Sequence, residues 1–398
     1  MKITSMDVMA LEKDNGCGGS RPVICRINTD EGFYGLGEAA VAIGTGARGA
    51  YELLKDFGPL IIGMDPLANE VIWEKLFKLS FWGQGNGAIM MAAISAIDTA
   101  LWDIKGKVAN LPLYQLLGGK QRSKLRTYAS QLQFGWGVDK FNPAQTPGGD
   151  ASRYCEAAVK AVEEGYEAIK INFLRFDRQG KILTHLDTTG HLSRETMRLA
   201  EERLSAVRKT VGPDIDIMIE NHAMTDANTA IQFAKMAEQY DVMFLEEGCT
   251  PLNPGVMKKI SENTSIPLTT GERTYTRWGF LPFLENGCLS MIQPDIGNCG
   301  GITECKKIAD MAHIFDVGVQ CHVCSSPISV AIALHLEAAI PNFIIHEHHI
   351  ANTTSGTIQQ CEYNYQPVKG YFELPELPGI GQEISKRAIE TAEIVTIK

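Results

Sequence analysis

The sequence predicts an α/β protein: a closed (β/α)8-type barrel preceded by an α+β segment. Three observations predict it. From residue 126 to 348 eight short β-branched or apolar runs appear, each followed by a helical pattern, and such alternation marks a parallel sheet wound with helices. An open doubly wound sheet shares the alternation, but a count of eight favours closure. The first 40 residues read instead as a β-meander. The tail beyond 352 is rich in turn residues, with Gly370, Pro375, Pro378, Gly379 and Gly381.

In the meander, strand-like runs cover 1–11, 22–29 and 32–40. Asp30-Glu31-Gly32 is a turn signal between the last two. Between the first two lies Asp14-Asn15-Gly16-Cys17-Gly18-Gly19-Ser20, which predicts a mobile loop. Helical patterns follow, the clearest over 87–105, where Ala92, Ala93, Ala96 and Ala100 permit close packing. The barrel strands are expected at 126–134, 168–173, 216–221, 242–247, 267–272, 289–295, 318–323 and 343–348. The loops after the first two, 135–152 and 174–194, are long, and in such barrels loops at this end make the substrate contacts. The expected domains are 1–123, a barrel over 124–350, and a tail over 351–398 that returns to the first.

Composition narrows the function. The chain carries 37 Lys and Arg against 47 Asp and Glu, a net charge of −10, with no basic cluster. That argues against a nucleic-acid partner and a polybasic membrane anchor. Residues 88–104 are the most apolar stretch, but Ser95, Asp98 and Asp103 interrupt it, so it reads as a buried helix and not a membrane span. Met1-Lys2-Ile3-Thr4 does not open a signal peptide. Ten cysteines without secretion are expected to be reduced thiols, which predicts a cytoplasmic protein.

Strand parity selects the side chains that point inward. In 168–173 the isoleucines and Phe173 share one face, leaving Lys170 and Asn172 on the barrel side. The same test turns Glu220 and His222 inward, permits Glu272, and pairs Gln293 with Asp295, Gln320 with His322 and Ile345 with Glu347. Strand four ends in Glu246-Glu247, between which parity does not choose. Strands three, four and five therefore each end in a glutamate. Three converging carboxylates would repel, so an ion is expected, and all-oxygen ligands favour Mg²⁺ over Zn²⁺.

At Gly271-Glu272-Arg273, Ile292-Gln293-Pro294-Asp295, Gly300-Gly301-Ile302-Thr303-Glu304 and Ala100-Leu101-Trp102-Asp103-Ile104-Lys105-Gly106-Lys107 the chain resembles the enolase superfamily, mandelate racemase subgroup. The likeness covers nearly the whole chain. Lys170-Ile171-Asn172, His222 and the run 271–309 are most similar to galactonate dehydratases, and Leu245-Glu246-Glu247-Gly248-Cys249-Thr250-Pro251 to mannonate dehydratases. The resemblance implies a modified TIM barrel with an α+β capping domain and a homo-oligomer. It implies Mg²⁺ ligands Glu220, Glu246 and Glu272, a His322–Asp295 dyad, His222 as a second acid or base, and Glu347 near the substrate carboxylate. Lys170 is expected to pair with that carboxylate or an enediolate oxygen, and Asn172, Gln293 and Arg273 to bind substrate. Two departures stand out: Glu220 replaces the usual aspartate, and Gly248 the usual proline.

The implied reaction starts with loss of the proton α to a carboxylate, where Mg²⁺ stabilises the enediolate. The second lysine base of the racemase pattern is replaced by Asn172, which takes no proton at neutral pH. His322, oriented by Asp295, is then the base. Losing one of two opposed bases argues against racemisation. The expected outcome is loss of water from a small sugar acid, an aldonate such as galactonate or a related aldarate, giving a 2-keto-3-deoxy acid. An epimerase or cycloisomerase would share metal and base. A Zn²⁺ hydrolase would prefer histidine ligands, and a non-catalytic sensor would have lost a ligand or the base.

Weaker signals have plainer readings. Gly44-Thr45-Gly46-Ala47-Arg48-Gly49 matches a dinucleotide fingerprint but lies in no βαβ unit, and it reads as a loop over the barrel mouth. Cys321-His322-Val323-Cys324 lacks a second pair, so its cysteines are expected to pack. Parity separates His346 and His348 from Glu347. For His346, His348 and His349, a surface or interface role competes with substrate contact. His313 and His335 are expected to be structural.

Overall fold

The structure, a computed structural model, describes residues 1–12, 19–138 and 149–398. Most of the glycine-rich 14–20 loop and the middle of the first long barrel loop lie outside the described residues. Strands β1 (Ile3–Ala10), β2 (Val23–Thr29) and β3 (Tyr34–Ala39) form the antiparallel meander. Its fourth strand, Glu393–Ile397, comes from the far end of the chain and pairs with β1 from Met6↔Ile397 to Ala10↔Glu393. Helices α1 (Ala47–Ile61), α2 (Asn69–Leu79) and α3 (Ala88–Ala109) complete this unit.

The alanine stripe of α3 has its counterpart in two glycines of β3. A Cβ on Gly35 or Gly37 would lie 2.0 Å from the carbonyl oxygen of Ala100 or Ala96, so only glycine lets strand and helix approach this closely. Asp103 of α3 is buried and ties three segments together. It accepts hydrogen bonds from Leu36 N (2.9 Å) in the meander and Ile380 N (2.9 Å) in the tail, and pairs with Lys107 (2.9 Å).

The barrel strands are β4 (Lys124–Ser130), β5 (Ala168–Ile171), β6 (Asp216–Glu220), β7 (Val242–Glu246), β8 (Leu268–Thr270), β9 (Met291–Ile292), β10 (Gly318–Val319) and β11 (His346–His349). They run parallel in chain order, and β11 returns beside β4. A parallel bridge between Val319 and Phe343, with Val319 N donating to Asn342 O at 2.8 Å, closes the ring. The fold is a modified (β/α)8 barrel with an α+β capping domain. The tail also adds Tyr371–Glu373 antiparallel to β4. Among the described residues no helix is long and apolar enough to cross a membrane.

Several strands are shorter than the sequence predicts. In β9 the regular ladder stops before Pro294, which has no N–H to offer. Single bonds continue past the strand ends, Gln320 N to Ile292 O and His322 N to Pro294 O, so inward alternation outlasts the regular ladder. The run predicted over 126–134 ends at Ser130. Gln131 turns left-handed (φ 72°) into a short helical turn, Leu132–Phe134.

Candidate active site

Tyr128, Ala168, Met218, Phe244, Met291 and Ile345 fill the barrel interior. Two residues further along the same strands stand Ser130, Lys170, Glu220, Glu246, Gln293 and Glu347, so period-two alternation carries an apolar layer directly into a polar one. Lys170 is its hub, 1% exposed, with Nζ 2.7 Å from Glu246, 3.0 Å from Glu347 and 3.6 Å from Glu220. Burial opposes its charge, but the three carboxylates hold its pKa well above the ordinary lysine value. Gln293 donates to Glu246 Oε2 (2.6 Å) and to Gln320 Oε1 (2.7 Å). Ser130 Oγ donates to Glu347 (2.7 Å).

Above this floor opens a cavity of about 630 Å³ between the barrel and capping domain. Gln131, Arg175, His222, Glu272, Arg273, His322 and His349 line it, and Ala40, Val41, Ala42, Ile43, Thr45, Gly46, Ala88 and Ile89 close its upper side. Thr45 and Gly46 belong to the glycine-containing run expected over the mouth, at the start of α1.

The two histidines meet the carboxylates differently. His322 Nδ1 lies 2.7 Å from Asp295 Oδ2, and Nε2 lies 3.5 Å from Glu272. Burial disfavours the charged ring, but Glu272, Asp295 and Glu347 push its pKa up to about 10. His222 Nε2 lies 2.5 Å from Glu220 Oε1. Its pKa is raised by Glu220 against the opposing effect of burial. Ligand atoms of Glu220, His222 and Glu272 lie within 4.8 Å of one another, a donor set that fits a divalent cation. Glu246 lies outside this group: its Oε2 accepts from both Lys170 and Gln293.

The backbone sends the two strand-four glutamates to different partners. Glu246 ends β7 and faces Lys170. Glu247 turns left-handed (φ 47°) and pairs with Arg273 at 2.8 Å. Arg273 also holds Glu272 at 2.8 Å. Four expected substrate contacts do not line the cavity. Lys170, Glu347 and Gln293 lie beneath its floor. Asn172 accepts from Leu174 N (3.0 Å) and borders a small side pocket with Arg175, Asn221 and Thr225.

The histidine cluster divides. His346 and His348 are buried, on Glu337 (2.6 Å) and Tyr166 (2.6 Å), which removes the surface alternative for these two. His349 lines the cavity, its Nδ1 accepting from Ala351 N (3.0 Å). Cys321 is buried and Cys324 lines the cavity. His335 is buried, while His313 is exposed. Parity reasoning missed Gln131, Arg175 and His349. Gln131, which donates to Glu220, is itself the left-handed residue that breaks alternation. Arg175 stands on a loop without periodicity.

Comparisons with known proteins agree with this geometry. Residues 153–388 match the profile of the enolase C-terminal domain-like family, and residues 15–118 that of the mandelate racemase / muconate lactonizing enzyme N-terminal domain. A D-mannonate dehydratase of Novosphingobium aromaticivorans is 31% identical over 97% of this chain and 94% of its own. A D-galactonate dehydratase of Ralstonia pickettii is 30% identical over 98% and 94%. A solved enolase-superfamily member from Salmonella Typhimurium is 51% identical, with both chains fully covered and a TM-score of 0.94. The 3,6-anhydro-D-galactonate cycloisomerase of Zobellia galactanivorans is 27% identical over 99% and 100%, with a TM-score of 0.81. With both of its domains matched and its barrel-mouth carboxylates and histidines in place, the chain belongs to the enolase superfamily, in the mandelate racemase subgroup.

Proposed function

We propose that this chain, a carbon–oxygen lyase of the hydro-lyase type, dehydrates a small sugar acid with Mg²⁺, taking the proton from C2 and releasing the C3 hydroxyl. The substrate is an aldonate such as galactonate, or a related aldonate or aldarate. The observation that carries the reading is the pair of histidines on opposite strands, His322 on Asp295 and His222 on Glu220, facing one cavity. Similarity to dehydratases of sugar acids supports it.

Glu220 and Glu272, with Glu246 through its remaining oxygen, would hold Mg²⁺, which supplies Lewis-acid stabilisation of charge on the substrate carboxylate when C2 loses its proton. His322 is a base only when neutral. Glu272, which would help to hold the cation, is also the carboxylate that most favours the charged ring. Asp295 then fixes the tautomer, leaving Nε2 to face C2. His222, whose Nε2 meets Glu220 Oε1 at 2.5 Å, donates its proton to the departing C3 hydroxyl. Lys170 and Gln293 position Glu246 from below. We place the enzyme in the cytoplasm as a homo-oligomer.

The test is incubation with aldonic and aldaric acids plus Mg²⁺ and assay of the products. Formation of a 2-keto-3-deoxy acid is expected, and its loss on chelation. An epimer or lactone as the sole product would replace the reading with an epimerase or cycloisomerase.

A further inference from the structure

We infer that Arg175 sets the substrate class by receiving a second carboxylate, so that the preferred substrate is a sugar diacid, an aldarate, over the matching monoacid. This rests on the dehydratase reading above for where the reacting carbons lie. Arg175 stands four residues beyond the end of β5, on the cavity wall with Phe134 and Met224. Its Nε is buried with no hydrogen-bond partner among the described residues. Burial disfavours its charge, and the attraction that offsets this comes only from Glu220.

The other cations of the site are committed. Arg273 holds Glu247 and Glu272, Lys170 three glutamates, His222 Glu220, and His322 Asp295. Among the described residues Arg175 makes no such pair. An Nε–H that has lost water without gaining an acceptor is costly, and a carboxylate is the group that best matches the planar donors of a guanidinium. The substrate carboxylate next to C2 belongs near Glu220 and Glu272, between the two histidines. Arg175 reaches the cavity from a loop above that level, so it meets the other end of the molecule. The side pocket it borders contains Asn221, whose Oδ1 is also buried and without a partner. A donor beside an acceptor suits a hydroxy-carboxylate terminus: the carboxylate accepts from Arg175 and the adjacent hydroxyl donates to Asn221. A terminal CH₂OH would leave the cation unneutralised.

The test uses the full chain with Mg²⁺ and a panel of hexarates with their matching hexonates. Affinity is measured by calorimetry and turnover by product assay, for wild type, Arg175→Gln and Arg175→Lys. Wild type should prefer a diacid. Arg175→Gln should lower the diacid-to-monoacid ratio of affinity and of kcat/KM by about 10–100-fold, the range for a charged hydrogen-bonded pair, with partial recovery in Arg175→Lys. Failure of every diacid to bind, or an equal loss for both classes in a variant of native Tm, would overturn the inference. Arg175-dependent diacid binding without dehydration would overturn the dehydratase reading alone. Dehydration of monoacids with no diacid bound would overturn only the role of Arg175.

Discussion

His322 and His222 both face the cavity, but their partners differ, and the proposed roles rest on that difference. Asp295 meets Nδ1 of His322 and leaves Nε2 toward the cavity, whereas Glu220 meets Nε2 of His222. Asn172 stands where the racemase pattern has a second lysine, and its carboxamide oxygen is occupied by Leu174 N; in the proposed reaction proton abstraction is therefore assigned to His322. His322→Asn should abolish dehydration and the exchange of the C2 proton with deuterated solvent, each by about 10²–10⁴-fold, the usual contribution of a general base. His222→Asn should stop dehydration by a similar factor yet leave slow exchange detectable by NMR, because enolisation needs no acid at C3. Exchange that survives loss of His322 but not of His222 would show the roles to be reversed.

At the scale of elements, barrel and meander were legible because their periods are strong. Eight alternating runs gave the closed sheet, and parity found the polar layer two residues beyond the apolar one on β5, β6 and β11. What parity did not reach was set by backbone turns: Gln131 at φ 72° and Glu247 at φ 47° leave the alternation. Arg175 lies on a loop, where side-chain direction follows packing and not a period, whereas His349 keeps the parity of Glu347 but stands one residue beyond the predicted run. The helix Pro327–Ala339 tests a different consequence of burial. Its His335 is fully buried, and Nδ1 accepts from Tyr114 N at 3.3 Å, which requires an unprotonated nitrogen. Burial lowers its pKa to about 4. The unfolded chain takes up this proton near pH 6.5 and the folded one only near 4, so stability should fall as pH drops through that window, by up to about 3 kcal/mol. Urea unfolding from pH 7 to 4 should show a shallower acid loss in His335→Gln, whose side-chain oxygen can accept from Tyr114. An unchanged pH dependence would mean that His335 titrates normally.

At the scale of the whole molecule, one capping residue reaches the barrel loop that carries the proposed base. Glu38, at the end of β3, is fully buried. It accepts from the hydroxyls of Ser325 (2.5 Å), Ser326 (2.5 Å) and Ser329 (2.7 Å), and from Ser326 N at 3.2 Å. These serines follow His322 by three to seven residues. Nearby, Ala40 N donates to Gly297 O at 2.9 Å, two residues beyond Asp295. The end of one meander strand therefore braces both halves of the His322–Asp295 pair, and capping-domain packing is coupled to the position of the base. Burial raises the pKa of Glu38 while the serine donors oppose the rise, so its hydrogen bonds, more than its charge, make the joint. Glu38→Ala would strand three hydroxyls and an N–H in a dry interface and should cost about 2–4 kcal/mol, on the scale of buried bonds to a carboxylate. Glu38→Gln keeps the shape and an acceptor oxygen and should cost less. If the joint positions His322, kcat for C2 exchange should fall in Glu38→Gln with little change in KM, because the cavity wall that holds the substrate is untouched. A fall in Tm with unaltered exchange kinetics would mean that the joint serves stability alone.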